Sequence, residues 1–286
     1  MNQLTDMIDP LESGPDAERV NYAAGLMLDA EDFRAEQTYH RGRLARLLQA
    51  LVGHGTLAGL LAKAPDADDA ERELRVLPGI AVDRYGRIIE LAEPHCIRLS
   101  RWFSQQDGAG LLAAMHVLSG KRVVIADLFL SAHNCARGRS PAVASGPFDT
   151  IDPTVPSRLE ERGALSLVLR KEGGGDPVPS PTNHWPGGSA SAKAQREAVL
   201  GAWPTDLAAL ADGELAPFAE HVAGEDMSAV LLARIAIPVK APGAGETRPI
   251  LKLDAPVAVR NDLRPVIYLP GKWQGMPLSP VTLNQP

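Results

Sequence analysis

Two apolar runs, Leu74-Arg75-Val76-Leu77-Pro78-Gly79-Ile80-Ala81-Val82 and Arg87-Ile88-Ile89-Glu90-Leu91, flank the tetrapeptide Asp83-Arg84-Tyr85-Gly86. Asp at the first position and Gly at the last are the preferred ends of a type I turn, and runs of this length bounded by turn residues read as strands. The stretch therefore predicts a β-hairpin. Outward from it, further strands are expected at Arg122–Leu130, Ala164–Arg170, Val230–Val239, Ile250–Leu253 and Val266–Leu269. Strand patterning before and after a long breaker-rich segment places the chain in a β-rich α+β class, with antiparallel, sandwich-like sheets.

Upstream of the hairpin the pattern changes to helical. Asp29 offers an N-cap carboxylate, and Glu31 and Asp32 lie in the first turn, where the helix dipole favours negative charge. A helix is predicted over Ala30–Val52, with Phe33, Leu44, Leu47, Leu48 and Leu51 making one apolar face and Gly53 ending it. Arg34, Arg41, Arg43 and Arg46 fall mostly off that face. Such charge runs are ordinarily a solvated helix surface; as a basic patch they are the candidate interaction residues of the chain.

Composition limits the function classes. The 286 residues carry a net charge of -6, so no overall attraction to nucleic acid or an anionic membrane is expected. Hydrophobic residues are 45% and charged residues 22%, which suits a globular chain. Cys96 and Cys135 are the only cysteines, too few for a stapled fold and consistent with a reducing compartment. Met1–Glu12 has neither a basic leader nor an apolar core, and no run of about 18 apolar residues occurs, so the expectation is synthesis in the cytoplasm without membrane insertion.

Gly 26 and Pro 24 distribute the chain into segments. Residues 1–20 read as a flexible lead-in, 21–172 as the helix plus a β domain, and 173–193 as a Gly/Pro/Ser-rich loop or linker. Residues 194–269 return from helical character (Ala192–Ala202, Thr205–Ala211) to strands, and 270–286 form an extended Pro-rich tail. The linker is either an insertion in one β-rich domain or the start of a second domain near residue 190.

Motifs for chemistry are weak. Gly53-His54-Gly55-Thr56-Leu57-Ala58-Gly59 follows a helix rather than a strand and so reads as a tight helix-to-strand connection, not a dinucleotide fingerprint. Ser119-Gly120-Lys121 lacks the upstream glycine of a P-loop, and the acidic stretch Ala64–Glu73 lacks the central glycine of a calcium loop. His95-Cys96 and His133 with Cys135 are the candidate zinc ligands, but adjacent ligands and a single His-x-Cys do not match structural zinc spacing; the cysteines are expected to pack as small, partly buried apolar residues. Glu160-Glu161, in Ser157-Arg158-Leu159-Glu160-Glu161-Arg162, reads as a charged turn before a strand. No Gly-x-Ser-x-Gly elbow is present. No catalytic residue, metal or cofactor is therefore expected.

One resemblance extends this reading. Tyr22-Ala23-Ala24-Gly25-Leu26-Met27-Leu28 with Asp32-Phe33, Glu36-Gln37 and Tyr39 resembles the opening of proteins encoded in contractile injection system and phage-tail-like gene clusters. So do Gly53-His54-Gly55 with Gly59-Leu60, the run Leu77–Asp83, Gly86-Arg87-Ile88-Ile89, and Pro156–Glu161. The likeness covers about residues 21–170 and 230–269, and departs at Thr56-Leu57, where family members often carry an aromatic. A looser likeness, through Leu232-Ala233-Arg234-Ile235 and the opening glycine-leucine segment, is to the baseplate trimer proteins of type VI secretion.

The resemblance implies a structural, non-enzymatic subunit at the baseplate or an accessory position, a homotrimer assembled with other particle subunits. The rival expectations are a receptor-binding or fibre-adaptor module, and a metal-dependent or hydrolytic enzyme associated with the particle.

Overall fold

The structure is a computed structural model, and it describes residues 9–14, 17–66, 72–141, 154–172, 178–181, 191, 193–194, 215–243, 245–252 and 254–267. The chain begins with a 3-10 turn at Pro10–Ser13, whose cap Asp9 accepts a hydrogen bond from the Leu11 amide at 3.1 Å. Asp9 and Leu11 are both buried, so this part of the expected flexible lead-in is docked. The fixing force is the Asp9 carboxylate, which pairs with Arg41 at 2.7 Å and with Arg87 at 3.8 Å.

Helix α1 spans Ala30–Val52, as its caps dictate. Asp29 accepts from the amides of Glu31 (2.7 Å) and Asp32 (3.2 Å), and the Asp32 carboxylate accepts from the Asp29 amide in return. This reciprocal box satisfies amides that an uncapped helix would leave bare. At the other end, the Gly53 amide donates to Leu48 and Gln49 carbonyls.

Short elements follow: β1 (Gly55–Gly59), β2 (Ala62–Lys63), β3 (Glu73–Val76), β4 (Gly79–Val82), β5 (Ile88–Leu91) and β6 (His95–Arg98). Two short helices, α2 (Leu99–Gln105) and α3 (Gly108–Ala113), lead into β7 (Met115–Leu118) and β8 (Lys121–Arg137). Then come β9 (Ser140–Pro141), β10 (Thr154–Val155), β11 (Arg158–Leu169), β12 (Val230–Lys240), β13 (Ile250–Leu251) and β14 (Ala258–Arg260). The described architecture is α+β and strand-rich, with one long N-terminal helix and several antiparallel sheets.

The hairpin is β4–β5, paired from Val82↔Ile88 to Gly79↔Leu91. Its turn closes with the Gly86 amide donating to the Asp83 carbonyl at 3.0 Å, while the Asp83 carboxylate accepts from the amides of Tyr85 and Arg87. Leu74–Val82, expected as one strand, is two. β3 pairs with β2 and β6, whereas β4 pairs with β1 and β5. Pro78 has no amide to continue a ladder, and the Leu77 amide turns to the Leu61 carbonyl at 3.0 Å.

The central sheet has the order β11-β8-β12-β13, with β7 also on β8 and β14 on β12. β8 runs on to Arg137 and β11 begins at Arg158, longer than their apolar cores predict, because Arg158↔Arg137 through Leu169↔Ala126 pair without a break. Backbone pairing, not apolar content, holds their outer ends together. Glu160 and Glu161 consequently sit inside a strand and not in a turn. At the chain's far end, Val266 makes only an isolated bridge to Thr56, with no strand formed among the described residues there.

β8 is buried continuously from Val123 to Ser131 because both of its faces are covered. On one face Val124, Ala126, Leu128 and Leu130 join the main core with Leu60, Leu74, Ile89, Leu91, Leu99 and Leu111. On the other, Phe129 packs with Val168, Ala229, Leu231 and Leu263. Gly163 lets the hairpin lie close to the central sheet: a β-carbon there would stand 2.7 Å from a methyl of Leu91 and 3.0 Å from one of Leu130. Most of the helix expected at Ala192–Ala202, the one expected at Thr205–Ala211, most of the 173–193 linker and the tail from 270 lie outside the described residues; Lys193 and Ala194 are helical.

Candidate docking face on the N-terminal helix

α1 meets the rest of the chain along one side only. Ala45 is its one fully buried residue and rests against Gly86, while Gln49 Nε2 donates to the Arg84 carbonyl at 2.7 Å. Both contacts are to the hairpin turn, so the turn is the seat of the helix. A second attachment is ionic. Arg41 reaches Asp9 at 2.7 Å and Glu161 of β11 at 3.0 Å, and Asn134 of β8 donates to Asp9 at 3.2 Å. Burial alone would raise the Asp9 pKa, but the hydrogen bonds from Arg41 and the Leu11 amide hold it below the usual carboxylate range.

The turn itself is pinned from beneath. Arg87 donates to Asp83 at 2.6 Å, to Glu12 at 2.6 Å and to Ser228 at 2.9 Å. Burial pushes the Asp83 carboxyl up to about 6, against the pull of Arg87. Arg84 sends Nη1 to the Met227 carbonyl at 2.8 Å and Nη2 to that of Ala216 at 2.5 Å, with its guanidinium 3.7 Å from the centre of the Phe218 ring. His54 lies beside the same ring, 5.3 Å between centroids. Burial, reinforced by the positive charge of Arg84, pushes the His54 pKa down to about 4.

The outer side of α1 is different. Phe33, Leu44, Leu47 and Leu51 are 54%, 49%, 53% and 55% exposed, and Tyr22, Leu26 and Met27 in the lead-in are exposed as well. The apolar face read from the sequence therefore points into solvent, and the core is built almost wholly without it. Scattered exposed leucines are ordinary, but a row of them along one helix is an uncovered apolar surface.

The four candidate arginines divide. Arg34, Arg43 and Arg46 are exposed, while Arg41 is half-buried and tied to Asp9 and Glu161. Cys96 is exposed on β6, contrary to the expectation of partial burial, and Cys135 is half-buried on β8. β6 belongs to the β2-β3-β6 sheet and β8 to the central one, so His95-Cys96 and His133/Cys135 sit on different sheets. Among the described residues no group of three or more His, Cys, Asp and Glu side chains is placed to hold a metal ion. Glu160 pairs with Arg162 at 2.9 Å and Arg137 at 3.3 Å.

A buried ionic centre that no sequence motif announces lies on the second face of the central sheet. Asp127 of β8, fully buried, accepts from Arg234 at 2.7 and 2.9 Å and from Arg170 at 3.2 Å. The same arginines donate outward to backbone carbonyls: Arg170 to Glu220 and Ala219, Arg234 to Val178 and Pro179. Arg170 also pairs with Glu172. The arrangement spends its donors on carbonyls that strap two irregular segments to the sheet, which is an architectural use. Its only trace in the sequence is one acidic residue inside the apolar run Val123–Leu130.

None of the described helices is long and apolar enough to cross a membrane. No family model matches the chain, and no curated protein matches it.

Proposed function

We propose that the chain is a structural subunit of a contractile injection system or phage-tail-like particle, at the baseplate or an accessory position, that works by assembly and not by catalysis. The observation that carries the assembly reading is the solvent-facing apolar row of α1, Phe33, Leu44, Leu47 and Leu51, on a helix that is itself firmly capped and seated. A stable helix that leaves its apolar side bare is completed by another chain. The particle is supported by the resemblance of Tyr22–Tyr39, Gly53–Leu60 and the hairpin to proteins of such gene clusters, and by type VI likeness the preferred oligomer is a homotrimer. The buried arginines fit the same reading, since they order backbone.

The test is to sediment particles from cells expressing the chain with its neighbouring genes and to locate a tagged copy by electron microscopy. Density for the tag at the end of a sheath-and-tube particle supports the reading. Complete particles formed while the chain stays wholly in the unsedimented fraction would overturn it.

A further inference from the structure

The exposed row of α1 has a particular spacing. Phe33, Gln37, His40, Leu44, Leu47 and Leu51 follow one another at alternating steps of four and three, the 3.5-residue repeat of a coiled-coil seam, and all six are exposed. They extend over about 27 Å at 1.5 Å per residue. Position a is then held by Gln37, Leu44 and Leu51, and position d by Phe33, His40 and Leu47. An ordinary amphipathic surface helix spreads its apolar residues over a wider arc than this and turns them to its own core.

The flanking charges select the partner. One flank of the seam, position g, carries Glu36 and Arg43 and is continued by the cap residue Asp29; the other, position e, carries Arg34, Arg41 and Leu48. In a parallel, in-register pair a g residue faces the e residue five positions on in the other helix. That sets Asp29 against Arg34 and Glu36 against Arg41 of the second copy, both of opposite charge. An antiparallel pair centred on the same row would set Arg41 against Arg41 and Arg43 against Arg43. Arg41 is already held at the seam edge by Asp9 and Glu161, so its place does not have to be ordered on binding.

We infer that the occupant of this face is a second copy of the chain, with α1 helices packed parallel and in register along the Phe33–Leu51 seam. Gln37 and His40 then meet their own counterparts in the middle, and a slip of one heptad would place Gln37 against Leu44, which fixes the register. Glu36 and His40 contact each other at 2.8 Å within one helix, one turn apart. The inference names the partner in the assembly reading above and rests on it only for biological setting.

The 286-residue chain is examined by sedimentation velocity at micromolar concentration. The expected result is an oligomer that Leu44→Glu with Leu47→Glu converts to monomer, with unchanged far-ultraviolet circular dichroism because these side chains face solvent in the single chain. Arg34→Glu weakens association about tenfold. With Cys96 and Cys135 replaced by Ser, Gln37→Cys cross-links copies through a disulfide under mild oxidation, whereas mixed Phe33→Cys and Leu51→Cys chains do not join. A monomer at every concentration, joining of Phe33→Cys to Leu51→Cys, or an oligomer indifferent to the Leu44 and Leu47 changes would each overturn the inference. A monomer whose Leu44 and Leu47 are shielded from hydroxyl radicals would place another segment of the same chain on the row and overturn it equally. The particle reading is judged separately by the sedimented tag.

Discussion

A β-carbon placed on Gly86 would lie 2.2 Å from the carbonyl oxygen of Ala45, so the hairpin turn and helix α1 meet backbone to backbone. Gly86 also has φ +79°, a conformation that L side chains rarely adopt. One residue thus closes the turn and receives the helix, and the outer face of α1 is presented at an angle that the turn decides.

Gly86→Ala should therefore cost about 1–3 kcal/mol, combining overpacking with backbone strain. Gly120 has a similar φ of +76° but open space around it, so Gly120→Ala isolates the backbone contribution. Urea unfolding of the two variants should place Gly86→Ala well below Gly120→Ala; equal losses would remove the claim that the turn seats the helix.

Asp127 is the shared acceptor of two buried arginines. Asp127→Ala leaves Arg170 and Arg234 charged in the interior, and about 3–5 kcal/mol should be lost. The exposed pair Arg260–Asp262, with 2.7 Å between its atoms, is the internal contrast: Asp262→Ala should change stability by less than about 1 kcal/mol. Limited proteolysis of Asp127→Ala should also open cleavage near 178–181 and 215–222, the stretches whose carbonyls these arginines hold.

Arg41 and Arg46 should behave differently despite neighbouring positions on one helix. Arg41→Ala removes the shorter of the two ion pairs of Asp9, whose side chain is 4% exposed, and should cost about 1–3 kcal/mol. Arg46→Ala, at an exposed site, should stay within about 0.5 kcal/mol. Thermal unfolding at matched protein concentration reads the difference.

His54 makes stability depend on pH. Its folded pKa is about 4 against an ordinary 6.5, so the unfolded chain binds the proton first as pH falls. The stabilisation is complete above about pH 6.5 and is lost as pH drops through the window to about 4, amounting to about 3 kcal/mol at roughly 1.4 kcal/mol per unit. Asp83 acts in the opposite sense: its folded pKa of about 6 lies above the ordinary value, so the fold retains that proton better and the group adds stability as pH falls through 6 toward 4. The two slopes partly cancel in the native protein. His54→Gln should remove the acid-side loss and leave the gain from Asp83, so its unfolding midpoint in urea should move up between pH 6 and pH 4 relative to the parent. An unchanged difference between the two proteins across that range would contradict a buried neutral His54.

Local signals were legible where the chemistry is local. Asp29, Asp32 and Gly53 set the limits of α1 because caps act within one turn, and Asp83 and Gly86 set the hairpin because a type I turn is decided by its own four residues. The split of Leu74–Val82 at Pro78 was also written in the chain, since a missing amide is a property of the residue; the partners of the two halves were not. The extension of β8 to Arg137 was hidden because Asn134, Ala136 and Arg137 have no strand pattern and are held by β11 across the ladder.

By itself, then, the sequence determined the class of fold, the capped helix and the turn on which it sits, because caps, turns and periodicity are governed by neighbours in the chain. It also carried the spacing of Phe33, Leu44, Leu47 and Leu51, but not the side to which they point. Only the tertiary structure decided that the core closes on Ala45 instead, that Arg41 is fastened while Arg34, Arg43 and Arg46 remain exposed, and that Asp127 gathers two distant arginines. Burial and ion pairing depend on which surfaces meet in space, and residues far apart in the chain settle that together.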